Sequence, residues 1–541
     1  MRSLLRDGRD VNAAQGDGMT ALHWAALHSD AELATMLLYA GANVRATTRL
    51  GGYTPLHLAS QIGAPPVVRA LVSRGASATA ATTTGATPLM LAASSGSVDT
   101  TTILLDHGVD PNARDAANGE TALMFAAALD RSEVVRLLMQ HGADATIAST
   151  IVDVTGLAAP EESLQQAIRS AQAARAAGGA APTEDPTATP RGANPAARAG
   201  DRPAVPGLSR PYTYSELVGR QGGLTALHFA ARQGAQNAVR ALVEGGADLN
   251  AASPADRTSA LLIATINGQF DIAAYLLDHG ATPNLASDGG VTPLYAVVNV
   301  QWAPRMFYPQ PRAQLQQRTS YLEVMKALLD KGADPNVRTR RKVWYTQYNF
   351  DLLRVDEGGA TPLWRAAYAS DVDAMKLLVA YGADPSIPTM KSAGRARGGD
   401  GDREVRDVSN APPVPVGGPG IPPLVAAAGA GYGEGFAGNA HRFSPGGMLA
   451  AVKYLVEELR ADVNAKDHEG NTALHNAASR GDNEMILYLI AKGADVMAVN
   501  RAGQTTVDMA NGPVQRIQPF PETIKLLEGL GAKNNHKCVS C

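Results

Sequence analysis

Residues 471–496 read NTALHNAASRGDNEMILYLIAKGADV, and near-copies of this stretch recur almost from one end of the chain to the other. A threonine or serine marks the same place in each copy, and it returns every 33 or 34 residues wherever copies follow one another directly. Such a fixed period predicts a protein built from stacked repeats. The marking residues are Thr20, Thr54, Thr87, Thr121, Thr225, Ser259, Thr292, Thr361 and Thr472.

This stretch is predicted to form two short helices. Thr472 is a suitable cap for the first helix, and the small pair Ala477–Ala478 lets another helix lie close against it. Gly481 ends the first helix, because glycine enters the left-handed conformation at little cost. The second helix is predicted over Glu484–Ala491, where apolar residues recur at helical spacing. One such pair cannot bury its own apolar face, so each pair must stack on its neighbours.

The pattern resembles the ankyrin repeat, and the resemblance covers about two thirds of the chain. It implies an all-α solenoid of stacked helix-turn-helix units with β-turn fingers, a fold that usually binds proteins and rarely catalyses. It also implies that His23, His57, His228 and His475 are structural histidines that link neighbouring turns. The motif T-P-L-H-x-A-A reads TPLHLAS at 54–60, TALHWAA at 20–26, TALHFAA at 225–231 and TPLWRAA at 361–367, and L-L-x-x-G-A-D-x-N reads LLDKGADPN at 328–336 and, nearly, LVEGGADLN at 242–250.

The composition argues against several functions. A net charge of −3 and a pI near 6.4 disfavour a dominant role in binding nucleic acid or anionic membranes. No apolar run approaches the roughly 20 residues of a membrane span. The dinucleotide-like pattern Gly433 to Gly438 follows a predicted helix instead of a strand, so we interpret it as a loop. We therefore expect a protein partner, no cofactor, no nucleic acid, no membrane insertion and no small-molecule ligand.

The first residues, Met1 to Asn12, read as the second helix and turn of a repeat that lacks its first helix. We therefore expect this start to lie inside a longer natural chain. The compartment stays open at this point, and export to the periplasm follows if a secretory signal precedes this start.

Changes in composition divide the chain into six segments. A short helix is predicted over 161–177, where strong helix formers follow a proline, and the rest of that insertion is expected to be a flexible loop. The segments are N-terminal repeats at 1–147, an Ala/Pro-rich insertion at 148–222, central repeats with inserted loops at 223–390, a Pro/Gly-rich loop at 391–420, C-terminal repeats with a cap at 421–533, and a tail at 534–541.

Two insertions in the central repeats carry the most distinctive side chains. Between Tyr295 and Tyr381 stand 12 of the 27 aromatic residues of the chain. Aromatic and arginine side chains on exposed loops are the usual anchors of binding energy. The predicted partner-binding residues are Trp302, Phe307, Tyr308, Arg340, Arg341, Trp344, Tyr345, Tyr348, Phe350 and Trp364.

An alternative interpretation of the same cluster is structural. In that interpretation the two insertions pack on one another and form a small core of their own, and the two interpretations are compatible. The basic run Arg340 to Lys342 likewise has two interpretations, as a contact for an anionic partner or as a solvated edge.

The pair Cys538 and Cys541 forms a C-x-x-C sequence at the end of the tail. Such a pair serves as a redox dithiol, as half of a zinc site or, when histidine follows, as a haem attachment. That histidine is absent from the sequence as written, and no second pair completes a zinc site. Our main hypothesis is therefore a non-enzymatic scaffold that binds a protein through its concave surface and inserted loops. The rival is a redox, haem or metal carrier that acts through Cys538 and Cys541.

Overall fold

The repeats fold into helix pairs, which the computed structural model describes over most of the chain. Within the described ranges the chain forms eleven such pairs and one two-stranded ribbon. The helix predicted over 161–177 lies outside these ranges, and so do residues 1–8 of the helix and turn predicted over 1–12. The described residues are 9–156, 205–208, 210, 212–303, 312–343, 355–393, 407–431, 442–512 and 518–537.

The first four pairs follow one another without interruption. They are Ala21–Leu27 (α1) with Ala31–Tyr39 (α2), Pro55–Ile62 (α3) with Pro65–Ser73 (α4), Pro88–Ser95 (α5) with Val98–Asp106 (α6), and Ala122–Ala128 (α7) with Ser132–Gln140 (α8).

A ribbon and a short helix precede the central pairs. The ribbon consists of Ile151–Asp153 (β1) and Arg220–Gly222 (β2), with the helix Tyr214–Val218 (α9) between them in the chain. The central pairs are Ala226–Gln233 (α10) with Gln236–Glu244 (α11), Ala260–Ile266 (α12) with Phe270–Asp278 (α13), Pro293–Gln301 (α14) with Tyr321–Asp330 (α15), and Pro362–Tyr368 (α16) with Val372–Ala380 (α17). A single 3₁₀ turn, Ala313–Leu315, precedes α15.

The last three pairs include one irregular unit. They are Pro423–Ala427 (α18) with Gly447–Lys453 (α19), Ala473–Ser479 (α20) with Asn483–Ala491 (α21), and Thr506–Ala510 (α22) with Pro521–Gly529 (α23). In the ninth repeat α18 has five residues, and α19 runs into the π-helical turn Tyr454–Glu458.

The marking threonines begin the first helices, as the sequence predicts. In the second repeat the Thr54 N–H donates to Nδ1 of His57 at 3.1 Å, and the His57 N–H donates back to the threonine hydroxyl at 3.4 Å. This reciprocal cap satisfies donors that the helix itself leaves without partners. Gly63 then ends α3 in the left-handed conformation, at φ +69°.

One apolar core runs along the whole stack, between the first and second helices of successive repeats. Alanine pairs of the motif, such as Ala25 and Ala26, are fully buried and let the first helices approach one another. Backbone hydrogen bonds also join successive fingers, for example from Arg49 N–H to Asp17 O at 2.8 Å. The all-α solenoid expected from the repeats is confirmed.

The Ala/Pro-rich insertion leaves the stack uninterrupted. Helix α7 packs directly on α10, although about a hundred residues separate their starts. The Asp130 carboxylate accepts hydrogen bonds from Asn237 and from the Ala238 N–H, at 2.9 and 2.7 Å. At the base of the insertion β1 pairs antiparallel with β2, with Ile151 opposite Gly222. The insertion therefore leaves and rejoins the solenoid at one finger.

Candidate partner-binding surface

The third residue of each first helix decides how that helix meets the next finger. In repeats one and five this residue is histidine, and its Nδ1 accepts a hydrogen bond at the helix cap. The proton therefore lies on Nε2. Nε2 of His23 donates to the Tyr53 carbonyl at 3.1 Å, and Nε2 of His228 donates to the Thr258 carbonyl at 3.0 Å. Burial lowers the pKa of both rings. The linking role that the resemblance implies is confirmed for His23, His57 and His228, whereas Nε2 of His475 is buried and bonds to no described residue.

Four consecutive repeats replace this histidine with an apolar or aromatic residue. The replacements are Leu262, Tyr295, Trp364 and Val425 in repeats six to nine, and all four are buried. They join a second apolar cluster, which is separate from the main core. We call it the finger core, and its members are Leu262, Val291, Tyr295, Ala296, Val343, Val355, Ala360, Trp364, Tyr368, Ile421, Val425, Ala426 and Ala430.

The prediction that Trp364 contacts a partner is wrong. The side chain is fully buried in the finger core and stacks on Tyr368, with ring centroids 5.1 Å apart. Its Nε1 donates to the Ile421 carbonyl at 2.8 Å, which is the bond that histidine makes to the next finger in other repeats. Trp364 stands in the motif as TPLW where other copies have TPLH, so it replaces a structural histidine.

Trp302 lies half-buried at the start of the first insertion. Its Nε1 donates to Oδ2 of Asp371 at 2.7 Å, and the hydroxyl of Tyr321 donates to the same oxygen at 2.9 Å. The two rings meet edge to face, with centroids 6.2 Å apart. Burial and the neighbouring carboxylate raise the pKa of Tyr321. The indole N–H of Trp302 is thus engaged within the protein.

A buried arginine lies beside this cluster. Arg365 Nε donates to the Asn299 side-chain oxygen at 2.7 Å, and its Nη2 donates to the Trp302 carbonyl at 2.9 Å. The carboxylate of Glu357 lies 3.9 Å from Arg365 Nε, and both side chains are almost completely buried. A buried charge needs such partners, because removal from water is expensive. The cluster therefore connects the seventh and eighth repeats internally.

The two predicted basic contacts differ in their surroundings. Arg340 is exposed, and its backbone N–H donates to the Gly289 carbonyl of the preceding finger at 2.8 Å. Arg341 is partly buried, and its guanidinium donates to the Glu216 carbonyl of α9 at 3.3 Å. Arg341 thus fastens the base of the Ala/Pro-rich insertion to a finger three repeats further along.

Several predicted site residues lie outside the described ranges. The finger core does include Val343 and Val355, which flank part of the second insertion. Contacts by the residues between them, and by those of the first insertion, stay a prediction. The residues concerned are Phe307, Tyr308, Trp344, Tyr345, Tyr348, Phe350, Cys538 and Cys541.

Large apolar side chains are exposed on the first helices of the N-terminal repeats. Trp24 is 38% exposed, Ile62 49% and Leu129 50%. Trp24 occupies the fourth position of its helix, and Ile62 and Leu129 stand at the place four residues later. Positions four apart lie above one another on a helix. Leu129 directly follows α7 as its C-cap. We call the exposed side chains of Trp24, Ile62 and Leu129 the first-helix face.

Sequence reasoning did not predict the first-helix face. The residue that follows the motif histidine, or the methionine in its place, is apolar in five successive repeats, and these residues are Trp24, Leu58, Leu91, Phe125 and Phe229. Trp24 is exposed and Leu91 and Phe125 are half-buried, whereas Leu58 and Phe229 are buried. The helices that carry these residues pack side by side.

Charged groups border this face at the fifth repeat. The guanidinium of Arg232 lies over the ring of Phe229, 4.9 Å from its centroid. Burial and the neighbouring Asp115 raise the pKa of Glu120, and Arg232 opposes this effect.

Within the part of the chain that the structure describes, no group of three or more His, Cys, Asp or Glu side chains is placed to hold a metal ion. The α-helices of the same ranges have five to ten residues, and none has the length and apolar character of a membrane span.

Stacked helix pairs that are linked by fingers and share one long core define a repeat solenoid. Models of ankyrin repeats match most of its units and together cover more than half of the chain. The chain belongs to the ankyrin-repeat family, whose repeats generally mediate protein–protein interaction. The matched residues are 1–82, 56–149 and 196–287 for a three-copy model, 454–510 for a many-copy model and 358–390 for a single repeat.

Relatives with ankyrin-type similarity have diverse names. The chain is 27% identical over 257 residues to alpha-latrocrustotoxin-Lt1a of Latrodectus tredecimguttatus, covering 47% of this chain and 13% of that protein. It is 42% identical over 74 residues to the 2-5A-dependent ribonuclease of Homo sapiens, covering 14% and 10%. It is 39% identical over 74 residues to the B-cell lymphoma 3 protein homolog of Mus musculus, covering 14% and 16%. The matches thus span only a small part of each relative.

Proposed function

We propose that this chain is a non-enzymatic scaffold that binds a protein partner through the concave surface of its N-terminal repeats, with the inserted loops as further contacts. The observation that supports the proposal is the first-helix face. Three large apolar side chains, Trp24, Ile62 and Leu129, lie 38–50% exposed on, or directly after, first helices of repeats one, two and four. Exposed apolar surface of this kind is typical of interaction sites when a partner covers it.

The Trp24 ring of the first-helix face is held in place by a neighbouring ring, which favours its use in binding. Trp24 stacks on His28 with ring centroids 5.8 Å apart, so its ring is supported on one side and open on the other. A supported tryptophan loses little conformational freedom on binding and buries a large area. Further along the face, Phe125 is half-buried and completes the apolar row. Arg232 adds a charged group at its border.

The central insertions extend this proposal. Arg340 is exposed at a finger and is available to an acidic group of a partner. The aromatic residues Phe307, Tyr308, Trp344, Tyr345, Tyr348 and Phe350 remain proposed contacts. Trp302 takes part only through the surface of its ring, because its N–H is bonded to Asp371.

The first experiment captures partner proteins from an extract of the source organism. The intact chain and a variant with Trp24→Ala, Ile62→Ser and Leu129→Ser are used as baits, and bound proteins are identified by mass spectrometry. The matched control is Leu487→Ser, because Leu487 is 51% exposed on the outer helix α21 and Leu129 is 50% exposed. A variant of Trp344, Tyr345 and Tyr348 to alanine tests the insertions.

Affinity for the purified partner then decides the site. We expect the triple variant to bind about a hundredfold more weakly, because each of the three lost anchors costs roughly 1 kcal/mol. The Leu487→Ser control should bind as the intact chain does. Equal affinity of the triple variant and the control would remove the first-helix face from the proposal.

The rival function rests on Cys538 and Cys541 alone. A redox or haem carrier loses its activity or its visible absorption when these cysteines are replaced, whereas a scaffold keeps its partner. Measurements on the purified cysteine variant therefore distinguish the two functions.

A further inference from the structure

The Pro/Gly-rich loop returns to the solenoid two fingers beyond the place where it leaves. Arg501, in the finger between repeats ten and eleven, pairs with Asp407 through Nη1 and Oδ2 at 2.8 Å. The Val408 N–H donates to the Arg501 carbonyl at 2.8 Å. Hydrogen bonds from Ser409 and from Arg501 lower the pKa of Asp407 to about 2, so this carboxylate is charged at neutral pH.

The same guanidinium also binds the backbone that follows. Arg501 Nη2 donates to the Pro412 carbonyl at 2.7 Å, and Nη1 donates to the Ala411 carbonyl at 3.3 Å. The Arg501 side chain is only 20% exposed, because the loop lies over it. One finger arginine thus holds a carboxylate and two carbonyls of a segment about 90 residues earlier in the chain.

The other end of the loop is held by the finger that follows repeat eight. Lys391 Nζ donates to the Val414 carbonyl at 2.7 Å, and the Gly417 N–H donates to the Lys391 carbonyl at 2.8 Å. Met390 forms an antiparallel bridge with Pro419. The Ile421 N–H then donates to the Thr389 hydroxyl at 2.8 Å, next to the start of α18.

Residues 407–412 turn around the Arg501 guanidinium. This group binds the Asp407 carboxylate and the Pro412 carbonyl at once, and Asn410 between them has a left-handed φ of +56°. The Val414 carbonyl, which the other finger holds, follows only two residues after Pro412. The prolines favour an extended path from Pro412 onward, because polyproline II is extended and needs no internal hydrogen bonds.

The segment also crosses the least regular part of the solenoid. The ninth repeat has a first helix of only five residues, Pro423–Ala427, and its second helix ends in a π-helical turn. Pro412, Pro413 and Pro415 lie exposed on the outer side of the segment. The inner side is bound by Arg501 and Lys391, which belong to repeats on either side of the irregular unit.

We propose that residues 407–421 are a strap that joins the eighth repeat directly to the finger between the tenth and eleventh repeats. The strap bypasses the irregular ninth repeat. It makes local unfolding of the C-terminal repeats depend on contacts with the eighth repeat. This coupling acts through the anchors at Arg501 and Lys391. It is independent of which partner the protein binds.

Hydrogen exchange of the full chain, followed by mass spectrometry, tests the strap. Arg501→Ala removes one anchor. Pro412→Gly, Pro413→Gly and Pro415→Gly together make the backbone of the strap more flexible and leave every residue of the two anchoring fingers unchanged. The matched control is Arg49→Ala. The Arg49 N–H makes the same backbone bond to the preceding finger as the Arg501 N–H does, and its exposed side chain lies in a repeat without a strap.

We expect both strap variants to speed exchange in α20 and α21 by about tenfold, because a lost charged anchor or three relaxed prolines each weaken local stability. The Arg49→Ala control should change its own neighbourhood by less than about twofold. If Arg501→Ala behaves like the control, the strap proposal is overturned. If Arg501→Ala speeds exchange and the glycine variant does not, Arg501 acts only within its finger and the proposal is likewise overturned.

Discussion

The indole Nε1 of Trp302 donates a 2.7 Å hydrogen bond to Oδ2 of Asp371, a residue 69 positions further along the chain. The hydroxyl of Tyr321 donates to the same oxygen, and Trp302 and Tyr321 stand on either side of the first insertion. The other oxygen of Asp371 accepts from the Ala374 N–H and caps α17. One carboxylate therefore fixes both ends of an inserted loop to the next repeat.

Replacing Asp371 tests this arrangement. We expect Asp371→Ala to lower the free energy of unfolding by about 3 kcal/mol, because it removes a helix cap and leaves two donors without their acceptor. Urea unfolding followed by circular dichroism gives the value. Asp30→Ala is the matched control, since Asp30 caps α2 through the Leu33 N–H but is exposed. Its loss should cost about 1 kcal/mol. An equal loss of stability in both variants would show that Asp371 does not fix the ends of the inserted loop.

Trp364 should behave as a core residue. Trp364→Phe keeps most of the ring but leaves the buried Ile421 carbonyl without the 2.8 Å bond, so we expect a loss of about 1–2 kcal/mol. Trp364→Ala should cost about 3–5 kcal/mol through the cavity that it opens. Thermal unfolding measures both losses. An alanine variant as stable as the intact protein would show that the side chain is not packed.

The stability of the tenth repeat should depend on pH through His475. Burial lowers the pKa of this ring from its ordinary 6.5 to about 4. Between these values the unfolded chain binds a proton that the folded chain does not bind, so the contribution to stability is full above pH 6.5 and is lost as the pH falls towards 4.

The variant His475→Met isolates this contribution. Methionine occupies the same position in repeats three and four, as Met90 and Met124, and is buried there. Between pH 6.5 and 4 the unfolding free energy of the intact protein should fall by on the order of 2 kcal/mol more than that of the variant. Urea unfolding at a series of pH values provides the comparison. Parallel pH profiles would assign the acid sensitivity to other groups.

The cysteine tail separates the two proposed functions. For a scaffold we expect Cys538→Ser and Cys541→Ser together to leave partner affinity unchanged within about twofold, since the pair lies far in sequence from the first-helix face. Absorption spectroscopy of protein purified from its source and a thiol titration complete the measurement. A haem band, or activity lost with the cysteines, would favour the rival function.

The sequence was sufficient for the repeating architecture. Thr54 and Gly63 specify the start and end of a helix by local chemistry, so the marking threonines located the first helices correctly. Helix caps depend on only a few neighbouring residues, so they can be predicted from the sequence without knowing the rest of the fold.

Contacts between distant residues could not be predicted in the same way. Trp364 was interpreted as an anchor because tryptophan is common at interfaces, yet its neighbours Ile421 and Tyr295 come from other repeats and bury it. The pairing of Asp407 with Arg501 spans 94 residues and depends on the path of a loop. Exposure in the first-helix face likewise depends on neighbouring repeats, since Leu58 and Phe229 occupy the position of Trp24 and are buried.

The finger core also has a mechanical consequence. When the two ends of a repeat stack are pulled, every repeat bears the same force, because each unit contacts only its neighbours. The repeat with the weakest contacts unfolds first. Repeats six to nine are joined by a second apolar cluster in addition to the common core. Additional contacts therefore join the repeats from the sixth onward, and a pulled chain should unfold first at its N-terminal repeats, which neither the finger core nor the strap joins.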